Sequence, residues 1–91
     1  MSRCLKIVVK IDNWNDKWND GMQKNAKKFG VEGVLQSAGD GLVKIVACSK
    51  DDQLDDFVDY LYDLLASSDA SVEELEPFIK ERDYRGIFRI I

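Results

Sequence analysis

The residues best suited to chemistry lie in the segment 12–21, a polar stretch in which the tripeptide Trp-Asn-Asp recurs after four residues. Asn13 and Asn15 carry amides that can hydrogen-bond a ligand, and Lys17 carries a cation. Asn, Asp and Gly favour local bonds between side chain and backbone, so we expect the segment to begin as a loop and to turn helical before Met22. Asn13, Asn15 and Lys17 are therefore candidates for a ligand-binding loop.

Two tryptophans lie one helical turn apart in the same segment. The surroundings of Trp14 and Trp18 are polar, and exposed tryptophan is enriched at the energetic centres of protein interfaces. Large aromatic rings are nevertheless usually buried for the most part, so the simpler interpretation is that both rings cover the open end of a small core. Trp14 and Trp18 remain candidates for a protein-binding patch.

A row of aspartates follows one side of the segment 51–66. Aspartate is a mediocre residue for helix interiors, so this density is unusual, although a solvated and solubilising face explains it most simply. The alternative is docking onto a basic partner surface, with Asp55 and Asp59 as candidate contacts. The spacing lacks the glycine-containing loop of a calcium site, and we expect no bound metal. The row consists of Asp51, Asp52, Asp55, Asp56, Asp59 and Asp63.

Composition excludes several classes of function. The chain has no histidine, which removes the usual zinc sites and the catalytic triads that depend on imidazole, and no cofactor is expected. Thirteen Lys and Arg against seventeen Asp and Glu give a net charge of −4, which disfavours nucleic acid and anionic membranes as partners. The first ten residues are too short and too charged for a signal peptide or a spanning helix, so we predict a cytoplasmic protein.

The two cysteines mark the ends of two predicted strands. Cys4 begins the first strand, and Cys48 ends the second strand of a hairpin. If these strands are antiparallel neighbours, the two thiols can lie near each other. In a reducing cytosol we favour two half-buried thiols over a disulfide or redox pair.

The elements that must position these residues are readable from local patterns. Gly39-Asp40-Gly41 between apolar flanks predicts a hairpin over 33–47, because glycine and aspartate tolerate positive φ. Apolar residues three and four apart predict helices at 20–29 and 51–66. Alternation predicts a strand over 5–11. A bent strand over 72–79 is preferred to a helix that starts in a capping box at 71–74, and Pro77 places it at the sheet edge. A short closing strand is predicted at 87–91.

The resulting order is strand, helix, hairpin, helix, strand, which is the split βαβ arrangement of a ferredoxin-like α+β sandwich. At 91 residues and 45% hydrophobic content, the chain has enough material for one core. We predict a single domain over 1–91.

This layout resembles the acylphosphatase family, small ferredoxin-like enzymes that hydrolyse the carboxyl-phosphate bond of acyl phosphates. The resemblance is best over 27–36, which is similar to the family's Lys/Leu-Gly-x-x-Gly-aromatic-Val segment, and it continues through Asp40-Gly41-x-Val43-x-Ile45 and through Tyr84-x-Gly86-Ile87-Phe88-Arg89-Ile90. It implies the sheet order 4-1-3-2 with two helices on one face. We further expect a monomer.

The catalytic pattern of the family is not reproduced. The family cradles phosphate in a Gly-x-Val-Gln-Gly-Val-x-aromatic-Arg loop, and an Asn on the next strand orients the attacking water. An ungapped comparison places the loop at 11–18, with Asn19 where the Arg belongs and Ser37 where the Asn belongs. Removing one preorganised donor from such a site costs about 100- to 1000-fold in rate. We therefore expect a binding module without catalysis; the alternative is a weak acylphosphatase that uses Lys10 or Lys17 as its cation.

Overall fold

The fold is described from a computed structural model that covers residues 2–12, 14, 16–66, 70–79 and 84–91. Its strands and helices alternate as the hydrophobic patterns predict. In chain order they are β1 (Ser2–Lys10), α1 (Asp16–Phe29), β2 (Glu32–Gly39), β3 (Leu42–Lys50), α2 (Asp51–Ala66), β4 (Ser71–Phe78) and β5 (Phe88–Ile90).

One five-stranded sheet has the order β4-β1-β3-β2-β5. The predicted order 4-1-3-2 is confirmed, and β5 extends it by pairing parallel to β2 at the far edge. β4 lies at the opposite edge, as Pro77 predicts, and its pairing with β1 shifts register between Val8 and Val9. The ferredoxin-like architecture is confirmed.

The β2–β3 hairpin depends on backbone conformations that few residues allow. Asp40 and Gly41 turn the chain with φ of 54° and 74°, the paired positive angles that match the twist of a two-residue hairpin. Gly33 has φ of 148°, and a Cβ built on it would lie 1.8 Å from the carbonyl oxygen of Val46. Only glycine lets β2 approach β3 this closely at that position.

The main core lies between the sheet and the two helices. Leu5, Ile7 and Val9 face it from β1 and are 6%, 0% and 0% exposed, which confirms the alternation read from the sequence. Each fully buried aliphatic side chain of this kind contributes about 1.5–3 kcal/mol. α2 adds a buried stripe three and four residues apart, made of Leu54, Phe57, Leu61 and Leu65.

α1 begins at residue 16 rather than 20, so half of the polar segment is helical. Trp18 packs against the core cluster one turn before Met22, which is fully buried. Burial of this ring favours helix over the local turns that Asn and Asp would otherwise support, because tertiary packing outweighs intrinsic propensity.

The expectation of two free thiols is wrong. Cys4 lies directly opposite Cys48 in the register of β1 and β3, with their Cα atoms 4.0 Å apart, and the two sulfurs form a disulfide. The bond is buried on the sheet face away from the helices, in a small cluster with Val46 and Tyr84. Antiparallel pairing brings the two side chains together although 44 residues separate them along the chain.

Within the described ranges, neither helix is both long and apolar enough to span a membrane.

Candidate functional site

The segment that the sequence singles out meets the hairpin turn at one end of the sheet. The backbone N–H of Ile11 donates to the carbonyl oxygen of Gly41 at 2.7 Å. Asp12 Oδ1 lies only 3.2 Å from where a Cβ on Gly41 would stand. The exit of β1 and the β2–β3 turn therefore meet here, and α1 begins four residues after Asp12; this region is the candidate site.

Trp14, Trp18 and Asn19 form one unit at the start of α1, here called the tryptophan cluster. The two ring centres are 5.3 Å apart and the planes are tilted by 32°. The indole N–H of Trp14 donates to Oδ1 of Asn19. Both rings are half-buried and pack against the main core, so each presents part of its surface to solvent while the rest covers the core.

Asn19 therefore has a structural partner at the position where the resemblance expects the catalytic Arg. Its amide oxygen accepts from Trp14 and is half-buried with it. Tryptophan offers a donor only, and a carboxamide is neutral at every accessible pH. The Asn19 side chain orients an aromatic ring and brings no positive charge to the site.

Ser37 lies on β2, opposite Val43 of β3, which in turn pairs with Val9 at the end of β1. These residues form one row across the sheet, so Ser37 is about 10 Å from β1, two strand spacings away. Alternation along β2 puts Ser37 on the same side as buried Leu35, facing the helices, although Ser37 itself is exposed. The structure brings Ser37 to the same end of the sheet as the first turn of α1.

The two lysines proposed as replacement cations lie at different places. Lys10 is exposed at the end of β1, where it pairs with Leu42 of β3. Lys17 is exposed on α1 and lines a groove between the two helices. Asn13 and Asn15, the remaining candidates of the ligand-binding loop, lie outside the described residues.

The interhelical groove was not identified from the sequence. Its volume is about 370 Å³, and it is lined by Lys17, Trp18, Gly21, Tyr60 and Leu64. Partial burial raises the pKa of the Tyr60 phenol, and a hydrogen bond with the Asn25 side chain offsets part of that rise. On α2, a second apolar stripe runs beside the core-facing one and shares Phe57 with it; its other members are Tyr60 and Leu64. This stripe is the signal that could have indicated the groove.

The two aspartates proposed as partner contacts have different surroundings. Asp55 accepts a hydrogen bond from the Arg3 guanidinium, whose Nη2 lies 2.6 Å from Oδ1 of Asp55. Nε of the same guanidinium lies 3.0 Å from Oδ1 of Asp51. This pairing ties the start of β1 to α2. Asp59, one turn further along α2, is exposed and forms no ion pair within the described part of the chain. Of the two, Asp59 is the more accessible to a partner.

Most of the chain matches the sequence profile of one family. The sequence profile of the acylphosphatase family, described as Acylphosphatase, matches residues 18–90. The chain belongs to the acylphosphatase family. The match begins at Trp18, so the segment 11–17, which the resemblance aligns with most of the phosphate loop of the acylphosphatases, lies outside it. No curated protein sequence matches the chain.

Solved acylphosphatases share this fold. An acylphosphatase from Coxiella burnetii has a TM-score of 0.75 at 20% identity, covering 99% of this chain and 93% of its own. One from Bacillus subtilis has a TM-score of 0.70 at 20% identity, covering 100% and 99%. The HypF protein of T. kodakarensis has a TM-score of 0.71 at 17% identity over 100% of this chain and 12% of its own. Identities this low establish the fold and leave the chemistry to the residues.

Proposed function

We propose that this acylphosphatase-fold domain has lost acyl phosphate hydrolysis and acts as a small binding module. The observation that carries the proposal is the tryptophan cluster. At the position where acylphosphatases hold the phosphate with Arg, Asn19 accepts a hydrogen bond from Trp14. A neutral amide that is engaged in this way does not stabilise the charge that develops during phosphoryl transfer.

The expected loss of rate is large. Phosphoryl transfer depends on positioning and on charge stabilisation, and each missing preorganised donor costs about 100- to 1000-fold. Asn19 replaces the cation, and Ser37 replaces the Asn that orients water. Both changes act on the same transition state, so a residual rate above the uncatalysed background is not expected.

A lysine is a poor substitute for the missing cation. Its ammonium is a point charge without the planar fork that holds two phosphate oxygens at once. Lys17 lines the interhelical groove, and Lys10 lies at the exit of β1. Neither placement favours the divergent enzyme over a domain without catalysis.

The binding role rests on surfaces that the fold leaves accessible. The half-buried rings of Trp14 and Trp18 lie beside the groove, and Asp59 lies on the outer face of α2. Aromatic rings with one covered side and one accessible side are common anchors of protein interfaces. We propose a protein partner at this surface.

The test is hydrolysis of benzoyl phosphate by the purified domain, compared with the variant Asn19→Arg plus Ser37→Asn. We expect the wild-type rate to equal the buffer background. A wild-type rate above background would overturn the loss of catalysis, and its abolition by Lys17→Ala or Lys10→Ala would identify the replacement cation. Lys50→Ala removes an exposed lysine at the end of β3, outside the candidate site, and is the matched control in that case.

A second measurement uses the tryptophans as reporters. Inorganic phosphate is titrated while tryptophan emission is followed. We expect no saturable change, because the cluster offers no cation at Asn19. A saturable shift that disappears in Lys17→Ala would establish an anion site and contradict a pure interaction module.

A cytoplasmic location is part of the proposal, and the disulfide makes it testable. Stable disulfides are rare in the cytosol of most organisms. Alkylation of thiols in intact cells, followed by mass spectrometry, measures the state of Cys4 and Cys48. Labelling of both residues fits a reducing compartment, whereas a protected pair contradicts the cytoplasmic assignment.

A further inference from the structure

A row of lysines follows the outer surface of α1 along the groove; Lys17, Lys24 and Lys28 are here called the basic row. All three are exposed. Together with Gly21 they are spaced four, three and four residues apart, which puts them on one helical stripe. Gly21 and Lys17 line the groove directly. The Lys28 ammonium lies 5.8 Å from the centre of the Phe29 ring, on the side of α1 that meets α2.

A row of opposite charge follows α2 on the other side of the groove. Asp56 and Asp63, here called the acidic row, are exposed. They lie four residues before and three residues after Tyr60, so they share its stripe on the helix. Tyr60 itself lines the groove. The two helices therefore present a basic rim and an acidic rim with aromatic surface between them.

Within one chain, the charges of Lys24 and Lys28 stay separate from those of the acidic row. No ion pair among the described residues joins Lys24 or Lys28 to Asp56 or Asp63. The floor between the rims contains the half-buried rings of Trp18 and Tyr60. A surface with separated charges and an aromatic floor has the composition of a docking site, with a polar rim around an apolar centre.

Ring contacts between α1 and α2 show which lysines and aspartates lie at the same height, meaning the same position along the groove. Phe29 packs against Phe57 with ring centres 6.5 Å apart. Lys28 and Asp56 are the chain neighbours of these two rings. Phe29 also packs against Tyr60, with ring centres 6.2 Å apart, so Lys28 lies level with the turn of α2 that begins at Asp56.

The other end has the same relation. Trp18 and Leu64 line the groove together, and their chain neighbours are Lys17 and Asp63. Lys17 therefore lies level with Asp63. Each lysine of the basic row at an end of the groove has a carboxylate at its own height on the opposite rim.

We propose that a second copy of this chain docks on this face, about a two-fold axis that runs along the groove. Rotation about that axis preserves height and exchanges the two sides, so α1 of one copy covers α2 of the other. Lys28 then faces Asp56 of the second copy, and the symmetry repeats the contact. A two-fold axis across the groove would instead place lysine on lysine, so the charge pattern selects the first geometry.

The dimer is weak and sensitive to salt. The molecule measures 34 × 23 × 22 Å, so its whole largest face only just reaches the roughly 800 Å² per partner of a standard interface, and the groove with its rims covers part of that face. Exposed ion pairs each contribute little to affinity and are screened by salt. The dimer rests on the proposed binding function, because it identifies the partner as a second copy of the chain. It does not depend on whether the domain hydrolyses acyl phosphates.

The first test is sedimentation equilibrium of the wild-type domain, from micromolar to millimolar concentration, at low and at high salt. We expect the apparent mass to approach twice that of the chain at low salt and to return towards one chain as salt is added. A mass of one chain throughout would overturn the proposal. That result would leave the hydrolysis assay unchanged, so failure of the dimer and failure of the proposed function are distinguishable.

The second test exchanges charges. In Lys24→Asp plus Lys28→Asp both rims become acidic, and in Asp56→Lys plus Asp63→Lys both become basic. Like charges then face each other, so each variant alone loses at least roughly tenfold in association constant. An equimolar mixture places acidic rims on basic rims at both contacts, and association returns.

The control places the same charge change outside the groove. Lys27 lines a different cavity, on the β5 side of α1, and Lys50 is exposed at the end of β3. Lys27→Asp plus Lys50→Asp associates as the wild type does at matched salt. Loss of association in this control, or a mixture of the exchanged variants that stays monomeric, would overturn the proposed geometry. Far-UV circular dichroism verifies that every variant is folded.

Discussion

The β2–β3 hairpin and the segment 11–19 touch at one end of the sheet, yet they relate differently to the acylphosphatase family. The hairpin keeps the family's glycines and alternating aliphatics, and its turn has the backbone angles these residues allow. Most of the segment 11–19 lies outside the match to the family profile, which begins at Trp18. The match to the family therefore includes the hairpin and excludes the segment 11–17.

The β2–β3 hairpin and the segment 11–19 differ in how strongly their residue types are constrained by the fold. In the hairpin, Gly33 lies against the backbone of β3, and a backbone contact cannot adapt to a larger side chain. In the segment 11–19, the described side chains of Trp14, Trp18 and Asn19 are half-buried at the edge of the core. Packing there tolerates new residues so long as apolar surface is covered. Residues such as Trp14 and Trp18 are thus easier to replace than Gly33, where a backbone contact sets the limit.

The largest effect is expected where the hairpin constraint is broken. In Gly33→Ala the new Cβ would overlap the Val46 carbonyl oxygen at 1.8 Å, so β2 and β3 must separate locally, at a cost of about 4 kcal/mol or more in unfolding free energy. Gly39→Ala is the control: it has positive φ but open space around the Cβ, and we expect about 1–2 kcal/mol from backbone strain alone. Urea denaturation measures both. Equal losses would show that the close approach at Gly33 is not the controlling constraint.

The next effect tests the bond that joins the two regions. The Cys4–Cys48 disulfide ties β1, which leads into the segment 11–19, to β3 of the hairpin, and it closes a loop between residues 44 apart. A loop of that length stabilises the folded state by roughly 3–4 kcal/mol in the chain-entropy estimate. Urea denaturation with and without excess dithiothreitol measures this difference. The double variant Cys4→Ala plus Cys48→Ala should not respond to the reductant.

A thiol count completes that test. Two reactive thiols in the denatured protein without reductant, together with unchanged stability when reductant is added, would contradict the bond.

A smaller effect measures how far the tryptophan cluster has become part of the fold. Trp18 is half-buried and packs on the main core, so Trp18→Ala should cost about 2 kcal/mol, roughly half of what a fully buried aromatic loses. Tyr62, which is 47% exposed, is the control, and Tyr62→Ala should stay within about 0.5 kcal/mol of wild type. If Trp18→Ala lowers the free energy of unfolding no more than Tyr62→Ala does, the Trp18 ring contributes nothing to the core.

The smallest effect concerns pH in the groove beside the cluster. Burial raises the pKa of Tyr60 above its ordinary value of 10.0, so the folded state holds the phenol proton more tightly than the unfolded state. The stability linked to this proton is fully present below pH 10 and is lost as pH rises through the raised pKa. The difference in absorbance titration between wild type and Tyr60→Phe isolates this group, and Tyr62→Phe is the control. A Tyr60 transition at or below pH 10 would contradict the burial effect.

Local rules were enough for the hairpin and for α2. Gly39, Asp40 and Gly41 between apolar flanks specify a turn without reference to the rest of the chain, and the apolar stripe of α2 specifies residues 51–66. The start of α1 could not be read in this way. The polar residues before Met22 favour a loop by local hydrogen bonding, and burial of Trp18 against other elements overrides that preference.

The candidate site was predictable in its position and not in its contacts. The resemblance named Asn19 and Ser37, and the structure brings both to one end of the sheet. The hydrogen bond between Asn19 and the Trp14 indole depends on the path of the chain from β1 into α1. Residue spacing does not specify that path. The roles of Asn13, Asn15 and Lys17 stay predictions, as do those of Asp55 and Asp59.

The sequence by itself determined the order of the elements and the faces that are buried, because these follow from residue type and short-range spacing. Tertiary structure alone decided three things: the pairing of Cys4 with Cys48, the hydrogen bond between Asn19 and Trp14, and the groove between the basic and acidic rows. Each depends on register or packing between segments that are distant along the chain. No local pattern contains that information, since the free energy that selects it comes from the assembled sheet and helices.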